Sequence, residues 1–393
     1  MKILFLSFYF PPDLSAGSFR SSSLVNSLLT GWPKEVKIEL ITTLPNRYSS
    51  FVKDASASET LPGLTIHRIA IDQHNSSIFG QCKGFVTYFK GVTRHIADND
   101  YDMVFATSGR LMTAILGSHV ARKLKKPLYI DIRDIFVDTI YDVLPLKVGV
   151  ILSPLFSALE RYAMNSAGKI NLVSAGFLPY FKQRYAKKEF EVFTNGIDDQ
   201  FLDLQPKRTL KKKQIDQLTV VYAGNIGDGQ GLHNIIPGLA KKFQGKLLFK
   251  IIGDGSRTHK LTLALKSLGC QNVVILPPVR RDKLIAIYNS ADILFLHVND
   301  FTAFKKVLPS KLFEYAATGK PIWAGVAGYA AEFISSKIEN SAVFAPCNTN
   351  AAILAFENLK MVTYPRKEFK NEFSRGKIME KMAQSLINFC QNS

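Results

Sequence analysis

The stretch PSKLFEYAATGKPI, Pro309 to Ile322, places one carboxylate and one cation where a helix begins. Its pattern predicts a loop, a short helix and an abrupt stop. Ser310 and Lys311 fall at the helix start, where backbone N–H groups have no intrahelical partner. Such a start attracts phosphate. Glu314 lies one turn further along, within reach of a ribose. A phosphate site with a ribose carboxylate beside it is the chemistry of a nucleotide-sugar pocket, and the remaining loops can be asked whether they agree.

Two glycine-rich loops point the same way. AGNIGDGQGL follows an apolar run and carries Gly224, Asn225, Gly227, Gly229 and Gly231. A loop of this kind can cradle a diphosphate through backbone N–H groups. IIGDGS follows the next apolar run with Gly253, Asp254 and Gly255. At successive strand ends of one sheet the two loops describe a nucleotide crevice. Near the N-terminus, FYFPPDLSAGSFR leads into a helix expected to start at Ser18, with Gly17 allowing close approach of a ligand. The dinucleotide fingerprint G-x-G-x-x-G is absent there, which argues against a nicotinamide or flavin enzyme.

A further loop, DIRDIFVD, places Arg133 and Asp134 at a strand end, where catalytic groups belong. Asp131, Asp134 and Asp138 resemble a metal cluster by count, but their period suits one only if the stretch is helical. Asp100–Tyr101–Asp102 matches an acidic metal-binding triplet, yet it precedes a strand and lies at the wrong end of it.

The elements that position these loops follow from alternating apolar runs. Strands are expected over 2–7, 36–42, 64–69, 103–107, 128–131 and 170–174, then again over 219–223, 247–252, 273–276, 293–297, 322–324 and 342–345. Most are short and continuously apolar, as in sheets buried on both faces. Helical stretches lie between them. The class is α/β, with the pattern run twice: two Rossmann-like parallel-sheet domains facing across a cleft. The expected division is 1–195, 196–365, and a tail helix over 366–393 that crosses back to the first domain. Ligands of open parallel sheets bind beyond the carboxyl ends of the strands.

With 393 residues and 47 % hydrophobic content the chain can fill two cores. Cys82, Cys270, Cys347 and Cys390 are scattered without a CxxC pair, as expected of reduced thiols in a cytosolic protein. MKILFLSFYFPPD reads as a buried first strand rather than a leader. No apolar run is long enough to span a membrane. The net charge of +18 calls for a polyanionic neighbour. Nucleic acid fits poorly, because the basic residues are dispersed and no binding module is present. An anionic membrane surface fits better. Two segments could lie on it: the face of Phe85, Phe89, Val92 and Ile96 flanked by Lys83, Lys90 and Arg94, and the run LPLKVGVILSPLFSALERY.

Taken together the chain resembles the retaining glycosyltransferases of the GT-B fold, family 4, and among them the bacterial enzymes of O-antigen and capsule synthesis. The resemblance spans nearly the whole chain: the YFPP…GS loop, DIRD, TNGID, YAGNIG, IIGDG, the Val279–Ala291 stretch and PSKLFEYAATGKPI. It implies transfer of a hexosyl or N-acetylhexosaminyl group from a nucleotide diphosphate, UDP being the commonest choice, without metal or cofactor. It implies an acceptor hydroxyl on a polyprenyl-diphosphate-linked glycan at the inner face of the cytoplasmic membrane. Carried over residue by residue, Glu314 grips the ribose. Lys311, Ser310 and the backbone at Leu308 and Pro309 meet the diphosphate. Gly17 lets the first loop approach it, Gly224, Asn225, Gly253, Asp254 and Gly255 line the crevice, and the backbone near Val279 faces the base. Arg133, Asp134 and Lys311 are the catalytic candidates.

The sequence departs from the family pattern in three places. Lys306 stands where a second Glu holds the donor sugar. NIGDGQG lacks the usual Arg and Lys, and Arg133 replaces a frequent His. The phosphate clamp then draws on Lys305, Lys306 or Arg133. A binding or scaffold protein on a retired transferase fold is the competing expectation, with a sugar-nucleotide epimerase as a third.

Overall fold

The computed structural model describes the chain except for residues 14, 32–34, 47–54, 72–77, 110, 136, 138–145 and 205–216. It divides into two compact units. One holds Met1–Asn195 with Arg375–Ser393, the other Gly196–Ser374.

In the first unit the described strands are β1 (Lys2–Ser7), β2 (Lys37–Thr43), β3 (Ser58–Leu61), β4 (Leu64–Ile69), β5 (Met103–Ser108), β6 (Leu128–Ile132), β7 (Lys169–Leu172) and β8 (Phe190–Val192). Their order in the sheet is β3-β4-β2-β1-β5-β6-β7-β8. All neighbours pair parallel except β3 with β4. That antiparallel edge departs from the purely parallel sheet expected. Pro62 and Gly63 turn the chain between the two strands, with Gly63 at φ 73°. A positive φ of this size is open to glycine at little cost. β3 escaped the apolar pattern because SETL is polar and mostly exposed.

The second unit carries β9 (Leu218–Ala223), β10 (Leu247–Ile252), β11 (Val273–Leu276), β12 (Ile293–His297), β13 (Ile322–Gly325) and β14 (Ser341–Phe344). The order is β11-β10-β9-β12-β13-β14, all parallel. β12 is buried along its whole length, as expected of a strand covered on both faces. β9 lies between β10 and β12, so the strand order reverses beside it. Ligands of such sheets bind at this switch point, outside the carboxyl ends.

The tail divides differently from expectation. The short helix Lys367–Glu372 stays with the second unit, and only Arg375 onward belongs to the first. There the helix Arg375–Gln391 buries Met379, Met382, Ala383 and Leu386 completely, against a core containing Ile3, Phe5 and Leu24. The apolar face of Phe85, Val92 and Ile96 is likewise core: these residues are at most 4 % exposed, and Phe85 packs on Phe8 and Tyr88. That face therefore offers nothing to a membrane. Among the described residues no helix is long and apolar enough to cross one.

Candidate functional site

In the second unit three loops converge at the carboxyl end of β9. Helix Lys311–Ala317 is fixed to that strand by one side chain. The Tyr315 hydroxyl, fully buried, accepts the Ala223 backbone N–H at 3.1 Å. Its ring meets Tyr288 edge-on at 5.2 Å, and Tyr288 lies on the helix Arg281–Ser290. One residue thus sets the positions of both helices relative to the glycine loop.

The anchoring brings Lys311 over Gly224. A Cβ on Gly224 would fall on the Lys311 side chain at Cε and Nζ, and its φ of 144° is one that L side chains rarely adopt. The ammonium lies 5.1 Å from the Tyr222 ring centroid and 3.5 Å from the Tyr222 hydroxyl. A cation over an aromatic face is held there electrostatically. Gly253 stacks next: a Cβ on it would run into the Gly224 carbonyl, and one on Gly255 would meet the Ile226 backbone at 2.6 Å. Three glycines therefore let two loop backbones touch beneath one ammonium.

The other expected donor residues have defined partners. Asn225 donates from Nδ2 to Gln230 Oε1 at 2.8 Å and so shapes its own loop. Asp254 accepts the Gly255 N–H at 2.7 Å and, through its carbonyl, the Ile226 N–H at 2.9 Å. Both are loop builders in this structure. Leu308 is buried, Pro309 and Ser310 are half-buried, and the Ser310 side chain makes no capping bond. Val279 is half-buried just before Arg281, and Lys306 ends the short 3-10 turn Thr302–Lys306.

Glu314 has a partner that its motif did not reveal. Its Oε1 accepts Arg281 Nη2 at 2.9 Å, and the same guanidinium ion-pairs with Asp198 and lies 5.0 Å from the Phe201 ring. Asp198 belongs to TNGID and Arg281 to the Val279–Ala291 stretch. Both were therefore inside recognised segments, but residue spacing cannot show that they meet. The three side chains are 12–19 % exposed.

The floor of the glycine loop rests on His297, which is 1 % exposed. Nδ1 donates to the Gln230 carbonyl at 2.7 Å, and Nε2 accepts the Cys347 N–H at 3.0 Å. Only the neutral ring can do both. Burial lowers its pKa from the ordinary 6.5 to about 4, against the opposing hydrogen bond to Gln230. The folded form thus binds fewer protons than the unfolded chain between these values. Stability contributed by His297 is complete above pH 6.5 and is lost as pH falls toward 4, by about 3 kcal/mol at 1.4 kcal/mol per unit. Urea denaturation at stepped pH should show this slope, and His297→Gln should flatten it.

In the first unit the strand order reverses at β1, and the loops after β1, β5 and β6 meet. A Cβ on Gly17 would fall on the Arg133 guanidinium, and one on Gly109 would lie 3.3 Å from Arg133 Nη1. Gly17 and Arg133, singled out separately, are neighbours, and the room beside Gly17 is taken by that guanidinium. Asp134 follows at a half-buried bend. The helix starts at Ala16, two residues before expectation. Ser15, not Ser18, is its cap, accepting the Ser18 N–H at 3.1 Å.

Asp131 is no metal ligand. It is 1 % exposed and paired through both oxygens with Arg20, at 2.9 and 3.0 Å, while Thr107 and Asn171 donate to it as well. Asp138 lies outside the described residues. In the acidic triplet, Asp102 accepts the Lys2 N–H at 2.6 Å and Asp100 pairs with Lys126, as suits its place at the amino end of β5.

The fold these units define is GT-B, two Rossmann-like parallel-sheet domains. Sucrose-phosphate synthase from Thermosynechococcus elongatus superposes with a TM-score of 0.76 at 12 % identity, covering 100 % of both chains. Anabaena Alr3699/HepE in complex with UDP superposes at 0.62 with 17 % identity, over 99 % of this chain and 100 % of that one. More particularly, residues 205–371 match the family model described as Glycosyl transferases group 1. A 100-residue stretch is 34 % identical to the "Putative colanic acid biosynthesis glycosyl transferase WcaI" of Escherichia coli (strain K12), covering 25 % of this chain. That match spans 24 % of the relative's own length.

Proposed function

We propose that the protein is a retaining glycosyltransferase. It moves a hexosyl or N-acetylhexosaminyl group from a UDP-linked donor to a hydroxyl of a polyprenyl-diphosphate-linked glycan in surface-polysaccharide synthesis. In this reading it works at the inner face of the cytoplasmic membrane, where its net charge of +18 meets anionic lipid. The observation that carries the proposal is the Lys311 ammonium held over the bare backbone of Gly224 at the switch point of the second sheet. Support for the class comes from the family match over residues 205–371. The UDP bound to HepE and the polysaccharide role in the name of WcaI support the donor and the pathway.

Bond breaking at the anomeric carbon leaves an electron pair on the diphosphate and an oxocarbenium-like sugar. The acceptor oxygen then bonds to the same face. Preorganised cations and N–H groups aimed at the leaving oxygens lower this barrier. Lys311 supplies the cation in the second unit, and the glycine loops supply N–H groups at close range. Arg133, with Asp134 beside it, supplies the corresponding charge in the first unit, and no step is assigned to a metal. Glu314 accepts the ribose hydroxyls, with Arg281 fixing the orientation of its carboxylate.

Incubation with a panel of nucleotide-sugars and lipid-linked acceptor, read by NMR of the product anomeric signal, tests this. The expected result is one preferred donor and retained configuration. Inverted product would end the retaining assignment. Lys306 in place of a donor-holding Glu is what favours a non-catalytic binder. That reading gains if nucleotide binds and no donor in the panel turns over.

A further inference from the structure

A second cluster lies in the first unit, away from the strand ends that carry Arg133. Glu39 is on β2 and His67 on β4. The register pairs Glu39 with Thr65 and Ile41 with His67, so both side chains project from one face of the sheet. His95 closes the helix Ile78–His95 that packs on that face. Nε2 of His95 lies 2.5 Å from Glu39 Oε1, and Nε2 of His67 lies 3.8 Å from the same oxygen. The two rings are 4.1 Å apart, centroid to centroid. All three ligand atoms lie within 4.8 Å of one another.

Two imidazoles converging on one carboxylate oxygen make a poor hydrogen-bond arrangement, since only His95 is close enough to bond. They make a good ligand set. The surrounding groups complete it. The second carboxylate oxygen, Oε2, takes Lys2 Nζ at 2.7 Å, which leaves Oε1 for an ion. Nδ1 of His67 lies 3.5 Å from the Ser58 hydroxyl, a partner that leaves Nε2 as the ligating nitrogen. Partners of this kind fix ring orientation and carboxylate direction in metal sites. Glu39 is 9 % exposed, while the rings are 27 % and 29 % exposed, so water can fill remaining positions.

We propose that Glu39, His67 and His95 form a binding site for a divalent transition metal ion of the zinc class, joining β2, β4 and the helix Ile78–His95. Imidazole and carboxylate ligands at about 2 Å suit zinc and cobalt, whereas magnesium and calcium prefer oxygen ligands throughout. The cluster sits nearer the amino ends of its strands than the switch-point loops, so its role is to brace this edge of the sheet. The proposal is independent of the sugar-transfer reading.

Titration of the full chain, stripped with EDTA, with ZnCl2, CoCl2 and MgCl2 in a calorimeter tests it. One equivalent of Zn2+ or Co2+ should bind, and Mg2+ should not. His67→Ala and His95→Ala should each weaken binding by about tenfold or more. Both rings are partly exposed, so neither change should unfold the protein, and circular dichroism checks that. Bound Co2+ should give a visible d–d band that both variants lose. Zn2+ should also raise the melting temperature of the wild type and leave that of the double variant unchanged. Failure of the wild type to take up an equivalent of either ion would overturn the site, as would uptake unchanged in both histidine variants.

Discussion

Lys311→Met should lower sugar transfer by about two to three orders of magnitude, with little change in folding. That is the range for removing one preorganised donor from a developing oxyanion. Lys311 is placed for that role. Gly224 offers no side chain to displace it, Tyr222 holds it by ring and hydroxyl, and Tyr315 fixes its helix to the end of β9. None of these supports depends on the ammonium itself, so the variant should melt close to the wild type. Steady-state kinetics should show most of the loss in kcat, because the leaving diphosphate carries more charge in the transition state than in the bound donor. Gly224→Ala should reproduce much of the defect, since the new methyl group takes the space of Lys311 Cε and Nζ. A fall in KM alone would show that Lys311 serves ground-state binding.

The second large effect is on stability. Arg20→Ala should destabilise the first unit by about 3–5 kcal/mol, the usual cost of stripping one partner from a buried ion pair. Both side chains are 1 % exposed. The guanidinium also donates to the Phe193 and Thr194 carbonyls, at 2.9 and 2.6 Å, which would be left unsatisfied. Arg20→Lys should rescue little, because a point charge cannot reproduce the two-pronged contact. Burial raises the pKa of Asp131, but the charge and hydrogen bonds of Arg20, with Asn171, bring it below its ordinary value of 3.8. Its contribution is therefore present above the ordinary carboxylate range and lost as pH falls through the folded value. Removing Arg20 leaves burial less opposed, so the acid sensitivity should diminish or reverse. Urea denaturation of the wild type and both variants at several pH values measures each effect. The functional consequence is positional, since Asp131 starts the loop that presents Arg133 and Asp134.

What the sequence disclosed depended on whether the signal was local. Continuous apolar runs marked the strands of both sheets, and glycine with helix-start chemistry marked the loops of the second unit. β3 and β8 were invisible because SETL is polar and mostly exposed and FEV is three half-buried residues long. The helix start was misplaced because Ser15 and Ser18 are both plausible caps, and only backbone geometry decides between them. Asp131 looked like a metal ligand because its partner is Arg20, 111 residues away. The face of Phe85 looked ready for a membrane because amphipathicity does not say what covers the apolar side. Glu314 was found, but Arg281 and Asp198 beside it come from two other segments and were not.

The central claim is that the second unit binds a nucleoside diphosphate with Glu314 on the ribose. Calorimetric titration of the wild type and Glu314→Ala with UDP and GDP tests it most directly. One of the two nucleotides should bind the wild type at one site per chain, and Glu314→Ala should weaken it by about tenfold or more, the equivalent of about 1.4 kcal/mol. Absence of binding by both nucleotides, or full affinity in Glu314→Ala, would contradict it.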